Sequence, residues 1–159
     1  MQVSSGVQAW FDQLYAQALV LRDLEREMHE ATGLPLAWFE VLVQLDKAPQ
    51  RRLRMGDLGR AVLLSKSGVT KVISRMETGG LVRRHTPPEN LRTTYAVLTD
   101  AGRRALKNAV PIHHRGIEEH FARHVSARDA ATISRVARTV TQAQLAQTTR
   151  EDAVAAQAP

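Results

Sequence analysis

The sequence predicts a mainly α-helical protein with one small β-hairpin, and three observations support that fold class. Only 4% of the 159 residues are aromatic, so the core must rest on Leu, Val, Ile and Ala, which favours packed helices over a sheet sandwich. Apolar residues recur at steps of three and four along most of the chain, which is the period of one helical face. One stretch near the middle instead carries β-branched residues on either side of two prolines, which is typical of a hairpin.

The helices are predicted from apolar faces bounded by end signals. Ser65 and Thr99 are expected to cap helices with their hydroxyls, and Gly33 and the Gly79-Gly80 pair are expected to end them. Six helices result: residues 7–30, residues 36–45, a brief one around residues 55–62, one from Ser65 to the Gly79-Gly80 stop, one after Thr99 with a candidate kink at Pro111, and residues 128–150 with Ile133, Val136 and Val140 inward. The segment 48–52 is expected to be a short linker.

Two of these helices have the pattern of a helix-turn-helix, because a short third helix is followed after a tight connection by a basic fourth helix. Residues 81–86 and 92–99 are predicted to form the two strands of the hairpin, with Pro87 and Pro88 stiffening its tip. A basic hairpin beside a recognition helix is a wing that can reach the adjacent minor groove.

The positive charge is concentrated in the middle of the chain. Residues 51–92 hold ten basic and three acidic residues, a net charge of +7, whereas the whole chain carries +6. Such clustering indicates a nucleic-acid binder, with a merely solvated basic face as the plain alternative. We expect DNA contacts from the polar side of the fourth helix, its cap and nearby arginines: Arg54, Ser65, Lys66, Ser67, Thr70, Lys71, Arg75, Arg84 and Arg92.

Composition and motifs argue against several other classes. The chain has no cysteine, which removes disulfides and thiolate chemistry and is compatible with a cytoplasmic location. No apolar run approaches the ~18 residues of a membrane span, and residues 1–6 do not resemble a secretory signal. No catalytic motif is present, so we expect neither an enzyme nor a cofactor. His113, His120 and His124 share one predicted face but are only weak metal-ligand candidates, and no metal site is expected.

Residues 58–84 resemble the winged-helix core of the MarR family of bacterial transcription regulators, and residues 97–102 and 38–42 resemble adjoining parts. The joined pattern of recognition helix, glycine stop, wing and Leu-Thr-x-x-Gly carries the resemblance. It implies a homodimer whose first, fifth and sixth helices interlock and whose two lobes grip a pseudo-palindromic operator in double-stranded DNA. The corresponding division is an N-terminal dimerisation helix (1–34), a DNA-binding lobe (35–99), C-terminal dimerisation helices (100–150) and a frayed tail (151–159).

Dimerisation also follows from the residues themselves. The long terminal helices carry more apolar surface than a lone lobe of this length can cover, so a second copy is the simplest way to bury it.

The resemblance further implies a repressor, which is the most frequent role in the family, and a small, often aromatic, anionic compound that loosens its hold on DNA. Arg22, Arg26, His29 and Trp38 are the candidate effector-binding residues. Arg92 takes the place of the family's wing arginine. Asn90 stands where the family usually has an aspartate that braces that arginine, so the wing is expected to be looser.

Two alternative functions stay open at this point. The first is a sequence-independent nucleic-acid-binding or architectural protein that uses the same positive charge. The second is a ligand- or metal-binding helical dimer without operator specificity. Sequence-selective binding of a duplex separates the regulator from both.

Overall fold

Six α-helices and a three-stranded sheet make up residues 3–155, the part of the chain that the computed structural model describes. The predicted fold class is confirmed. The elements are α1 (Ser5–Thr32), α2 (Leu36–Lys47), β1 (Arg52–Arg54), α3 (Met55–Ala61), α4 (Lys66–Thr78), β2 (Val82–His85), β3 (Tyr95–Leu98), α5 (Asp100–His120) and α6 (Ala127–Ala155), with short 3-10 turns at Pro49–Arg51 and Ala122–His124.

The predicted helix ends are present with their predicted chemistry. The Ser65 hydroxyl oxygen accepts a hydrogen bond from the Gly68 N–H at 3.1 Å and so caps α4. Gly33 ends α1 in the left-handed region at φ +69°, a conformation that costs glycine nothing, and its N–H donates to the His29 carbonyl. Helix α5 continues through Pro111 to His120.

The sheet has one strand more than predicted. Strand β3 lies in the centre and pairs antiparallel with β2 and with β1, so that Tyr95 is opposite both His85 and Arg54. The expectation of a plain linker at residues 48–52 is therefore wrong at its end, because Arg52 begins β1. Three residues are too few to show the two-residue period of a strand, and β1 is extended because β3 supplies its hydrogen-bond partners.

Residues 1–117 form one of two compact units, and the hydrophobic core of this unit surrounds α2. The helices of this unit and strands β2 and β3 contribute buried apolar side chains to it, and β1 contributes the half-buried Leu53. The buried side chains include Met28, Phe39, Leu42, Leu45, Leu58, Val69, Ile73, Met76, Val82, Leu98 and Leu106. This packing places one face of α4 against the core and leaves the other face to solvent.

Thr99 and Gly102 explain the Leu-Thr-x-x-Gly pattern. The Thr99 hydroxyl donates to the Gly80 carbonyl at 2.7 Å and accepts from the Gly102 N–H at 3.0 Å, which confirms its predicted role as the cap of α5. A Cβ on Gly102 would lie 2.1 Å from the Leu81 carbonyl oxygen. The start of α5 is thus held directly against the backbone that follows α4.

The second unit, residues 118–159, contains the last turn of α5 and the whole of α6. Ile133, Val136 and Val140 are exposed to solvent in the single chain. The prediction that they face inward is therefore wrong for this chain on its own. Of the expected tail, residues 151–155 continue α6, and residues 156–159 lie outside the described residues. Across residues 3–155, no helix combines the length and the hydropathy that a membrane crossing needs.

Candidate nucleic-acid interface

Helix α4 is divided lengthwise into a buried and an exposed face. Val69, Ile73 and Met76 are buried in the core, as the apolar period predicted. The polar residues of the opposite side are all exposed: Ser74 and the predicted contacts Lys66, Ser67, Thr70, Lys71 and Arg75. The structure therefore brings together on one face the residues that the sequence predicted for the major groove.

The hydroxyl groups of α4 already donate their protons to the helix backbone. Thr70 donates to the Lys66 carbonyl at 2.8 Å, and Ser74 donates to the Thr70 carbonyl at 2.9 Å. Ser65 is engaged as the cap, with its oxygen 3.2 Å from that of Ser67. A hydroxyl that has donated its proton still accepts, so these oxygens are suited to the amino groups of adenine and cytosine in a major groove.

Three cationic side chains on α4 differ from these hydroxyls, because they have no hydrogen-bond or ion-pair partner in the described part of the chain. Among residues 3–148, no side chain forms a hydrogen bond or ion pair with the side chains of Lys66, Lys71 or Arg75. Exposed cations without a carboxylate partner are available to neutralise phosphates without first breaking an internal pair.

Arg84 connects the wing to the recognition helix. Its backbone N–H donates to one Glu77 carboxylate oxygen at 2.7 Å, and its guanidinium donates to the other at 2.6 Å. The guanidinium also donates to the Ser74 hydroxyl at 2.7 Å and to the Thr70 carbonyl at 3.2 Å. Arg84, predicted as a DNA contact, is held as a brace between β2 and α4. Glu77 was not predicted from the sequence, in which its one signal is that it is the single acidic residue of a basic helix.

The wing tip is ordered by hydrogen bonds to Asn90. The Asn90 side-chain oxygen accepts from the backbone N–H of Arg92 at 3.2 Å, and its carbonyl accepts from the Thr93 N–H at 3.1 Å. The Asn90 N–H itself donates to the Pro87 carbonyl at 3.0 Å. Asn90 therefore orders the backbone beside Arg92 and leaves the Arg92 side chain exposed.

A cleft of about 800 Å³ lies between α3, the start of α4 and the wing. Five basic residues line it, one or more from each side: Arg54, Arg60, Lys66, Arg84 and Arg92. This arrangement focuses positive potential where α4 and the wing meet.

Three of the basic groups at this edge are positioned by neighbouring side chains. Arg54 donates to the Tyr95 hydroxyl at 3.4 Å, and the Arg52 guanidinium lies 5.0 Å from the centre of the Tyr95 ring. Arg60, which was not among the predicted contacts, is paired with Asp57. Tyr95 was missed by sequence analysis because its role depends on the β1–β3 register.

Comparison with known proteins agrees with this geometry. A family model described as MarR family matches residues 32–92. The crystal structure of a MarR family transcriptional regulator from Silicibacter pomeroyi is 30% identical, with 87% of this chain and 94% of that chain covered at a TM-score of 0.73. The chain belongs to the MarR family. Sco3205, a MarR family transcriptional regulator from Streptomyces coelicolor crystallised in complex with DNA, is 26% identical, with 90% of this chain and 91% of that chain covered at a TM-score of 0.82.

A curated relative matches over a shorter stretch. YkoM, an uncharacterized HTH-type transcriptional regulator of Bacillus subtilis (strain 168), is 34% identical over 48% of this chain and 47% of its own length. The chain thus spans about half the length of the curated relatives it matches.

The predicted effector residues of this MarR family chain lie in different settings. On α1, Arg22 pairs with Asp23 at 3.3 Å and Arg26 pairs with Glu30 at 3.5 Å, while His29 is exposed. Trp38 lines a cavity of about 430 Å³. The described lining of that cavity is Ala31, Thr32, Gly33, Leu34, Trp38, Leu81, Ala105 and Asn108, so it includes none of the three α1 candidates.

The histidines do not form one cluster on α5. His113 is half-buried with its ring centre 4.4 Å from that of Phe39, and its buried Nδ1 has no hydrogen-bond partner among the described residues. Burial lowers the pKa of His113, and the neighbouring His114 lowers it further. The expectation that His124 shares the α5 face is wrong, because α5 ends at His120 and His124 lies in the following turn. In the described part of the chain, no three His, Asp or Glu side chains are grouped as metal ligands.

Proposed function

We propose that this chain is a dimeric, sequence-specific DNA-binding regulator, with α4 in the major groove and the wing in the adjacent minor groove. The observation that carries the proposal is the set of exposed cations Lys66, Lys71 and Arg75 on one face of α4, which have no side-chain partner among residues 3–148 and lie next to a basic cleft that ends at Arg92. The similar regulator Sco3205 was crystallised in complex with DNA, which supports DNA binding by this chain.

The dimer is proposed from the terminal helices. Along α1, Trp10, Phe11 and Leu14 are 48–58% exposed, and on α6 Val136 and Val140 are 44% and 52% exposed. Water contact over such apolar stripes is unfavourable, and a second copy that presents the same stripes covers them by twofold symmetry. Two recognition helices held about 34 Å apart then enter successive major grooves.

We propose that the protein represses by covering its operator and that a small aromatic, anionic ligand releases it. The cavity beside Trp38 offers an aromatic ring for stacking, and it is also lined by Leu81, which follows the α4 stop. A ligand in this cavity contacts the segment that connects α4 to the wing. It can therefore stabilise one arrangement of the two lobes relative to another. Arg22, Arg26 and His29 do not line this cavity, so their proposed role as cations for the ligand's negative charge rests on the family resemblance alone.

The α4 contact is tested by Lys71→Ala. If Lys71 neutralises a phosphate, affinity falls for every duplex and the slope of log affinity against log salt falls by about one. If Lys71 reads a base, about 1–3 kcal/mol of discrimination is lost at one position. Lys107→Ala, which removes an exposed lysine from α5, is the matched control. A gel-shift titration in which the two variants bind alike contradicts both roles.

Selection of duplexes from a random pool by the purified protein tests the whole proposal. An enriched inverted repeat supports a dimeric, sequence-specific regulator and gives the half-site spacing. Equal binding of all duplexes instead indicates the architectural alternative, and absence of salt-dependent duplex binding indicates a ligand- or metal-binding helical dimer.

A further inference from the structure

Two leucines in the DNA-binding half of the chain are almost fully in contact with water. Leu63, in the turn between α3 and α4, is 92% exposed, and Leu91, at the wing tip, is 77% exposed. They differ in their surroundings. Leu63 lines a cavity with residues of α2, including Phe39 and Val43, whereas Leu91 stands between Asn90 and Arg92 at the end of the hairpin.

The wing tip holds Leu91 in a defined place. The two hydrogen bonds that Asn90 accepts, from the N–H groups of Arg92 and Thr93, close a turn around Leu91. Below the tip, the hydroxyls of Thr86 and Thr94 lie 3.1 Å apart and join the two sides of the hairpin. The turn is ordered before any partner binds, which lowers the entropy that binding must remove.

The tip has little net charge with which to attract DNA. Residues 87–94 contain one acid, Glu89, and one base, Arg92, so their charges cancel. A tip that worked only as a phosphate clamp would be expected to carry a surplus of cations. The side chain at its end is instead apolar and forms no hydrogen bonds, so its favourable contacts in a minor groove are with sugar walls and base faces.

We propose that Leu91 is a minor-groove wedge that enters a base step beneath the wing and kinks the duplex. Apolar side chains at such steps partly unstack the bases, and pyrimidine–purine steps open at the lowest energy cost. Leu91 thereby gives the protein a preference for TA or CA steps under each wing, at positions that α4 does not read. This inference rests on the proposed function, because it requires the wing to lie on DNA.

The test uses the full-length protein and the duplex enriched by selection, with 2-aminopurine placed at the steps under the wing. Wild type is expected to raise 2-aminopurine fluorescence by unstacking and to shorten the end-to-end distance measured by energy transfer between terminal dyes. Leu91→Ala is expected to lose both signals and to reduce the preference for TA over AA at that step from about tenfold to about one. Leu63→Ala, at the other exposed leucine, is expected to behave as wild type.

The outcomes separate the wedge from the proposed function. Wild-type binding to a straight, stacked duplex overturns the wedge alone, and so does a Leu91→Ala complex that is bent and unstacked like that of wild type. Failure of wild type to bind any duplex overturns the proposed function and the wedge with it. Urea unfolding midpoints equal to that of wild type show that both variants fold, as expected for exposed positions.

Discussion

Replacing Arg84 with alanine removes the brace between β2 and α4, and the structure gives the size of the effect. Three hydrogen bonds from the guanidinium are lost, to Glu77, Ser74 and Thr70, while the backbone N–H of residue 84 still reaches Glu77. All three have a charged donor, and a hydrogen bond to a charged group contributes about 1.5–3 kcal/mol where solvent does not screen it. The paired side chains are 31% and 35% exposed, which screens the charge. We therefore expect Arg84→Ala to lower the free energy of unfolding by about 2 kcal/mol.

A double-mutant cycle with Glu77→Ala measures the coupling of the pair. Urea unfolding of the two single variants and the double variant is expected to give a coupling energy of about 1 kcal/mol. DNA titrations then distinguish a brace from a DNA contact. As a brace, Arg84→Ala weakens binding and leaves the salt slope unchanged, because no phosphate contact is lost. A coupling energy near zero together with a salt slope lowered by about one refutes the brace and makes Arg84 a phosphate contact.

Two further predictions concern the core. Gly102→Ala is expected to cost about 3 kcal/mol, because its Cβ would lie 2.1 Å from the Leu81 carbonyl oxygen. Gly56→Ala, where a Cβ meets nothing within 4 Å, is the control, and equal urea midpoints for the two variants contradict the clash. Burial lowers the pKa of His113 in the folded protein below the ordinary value of about 6.5. As the pH falls below about 6.5, the unfolded chain therefore binds a proton more readily than the folded one. The free energy of unfolding decreases as a result. His113→Phe is expected to lose less stability than wild type between pH 8 and pH 5 in urea unfolding, and equal losses in the two proteins contradict this reasoning.

Local signals made much of the fold predictable. The caps at Ser65 and Thr99 depend on a hydroxyl and the N–H groups within three residues of it, so the sequence contains both partners. The two faces of α4 follow in the same way from a period that packing against one core preserves. Strand β1 was not predictable, because Arg52–Arg54 becomes a strand only through its pairing with β3.

Charge, periodicity and end signals in the sequence by themselves determined a basic helix-turn-helix with a wing, flanked by long apolar-faced helices. Only the tertiary structure decided how those charges are used. It paired Arg84 with Glu77, brought Tyr95 against both Arg52 and Arg54, and gave Lys71 no side-chain partner within the described part of the chain. The physical reason is range: capping and helical periodicity act within a few residues, whereas an ion pair or hydrogen bond between elements exists only after the turn at Gly79-Gly80 and the sheet register bring its two partners together.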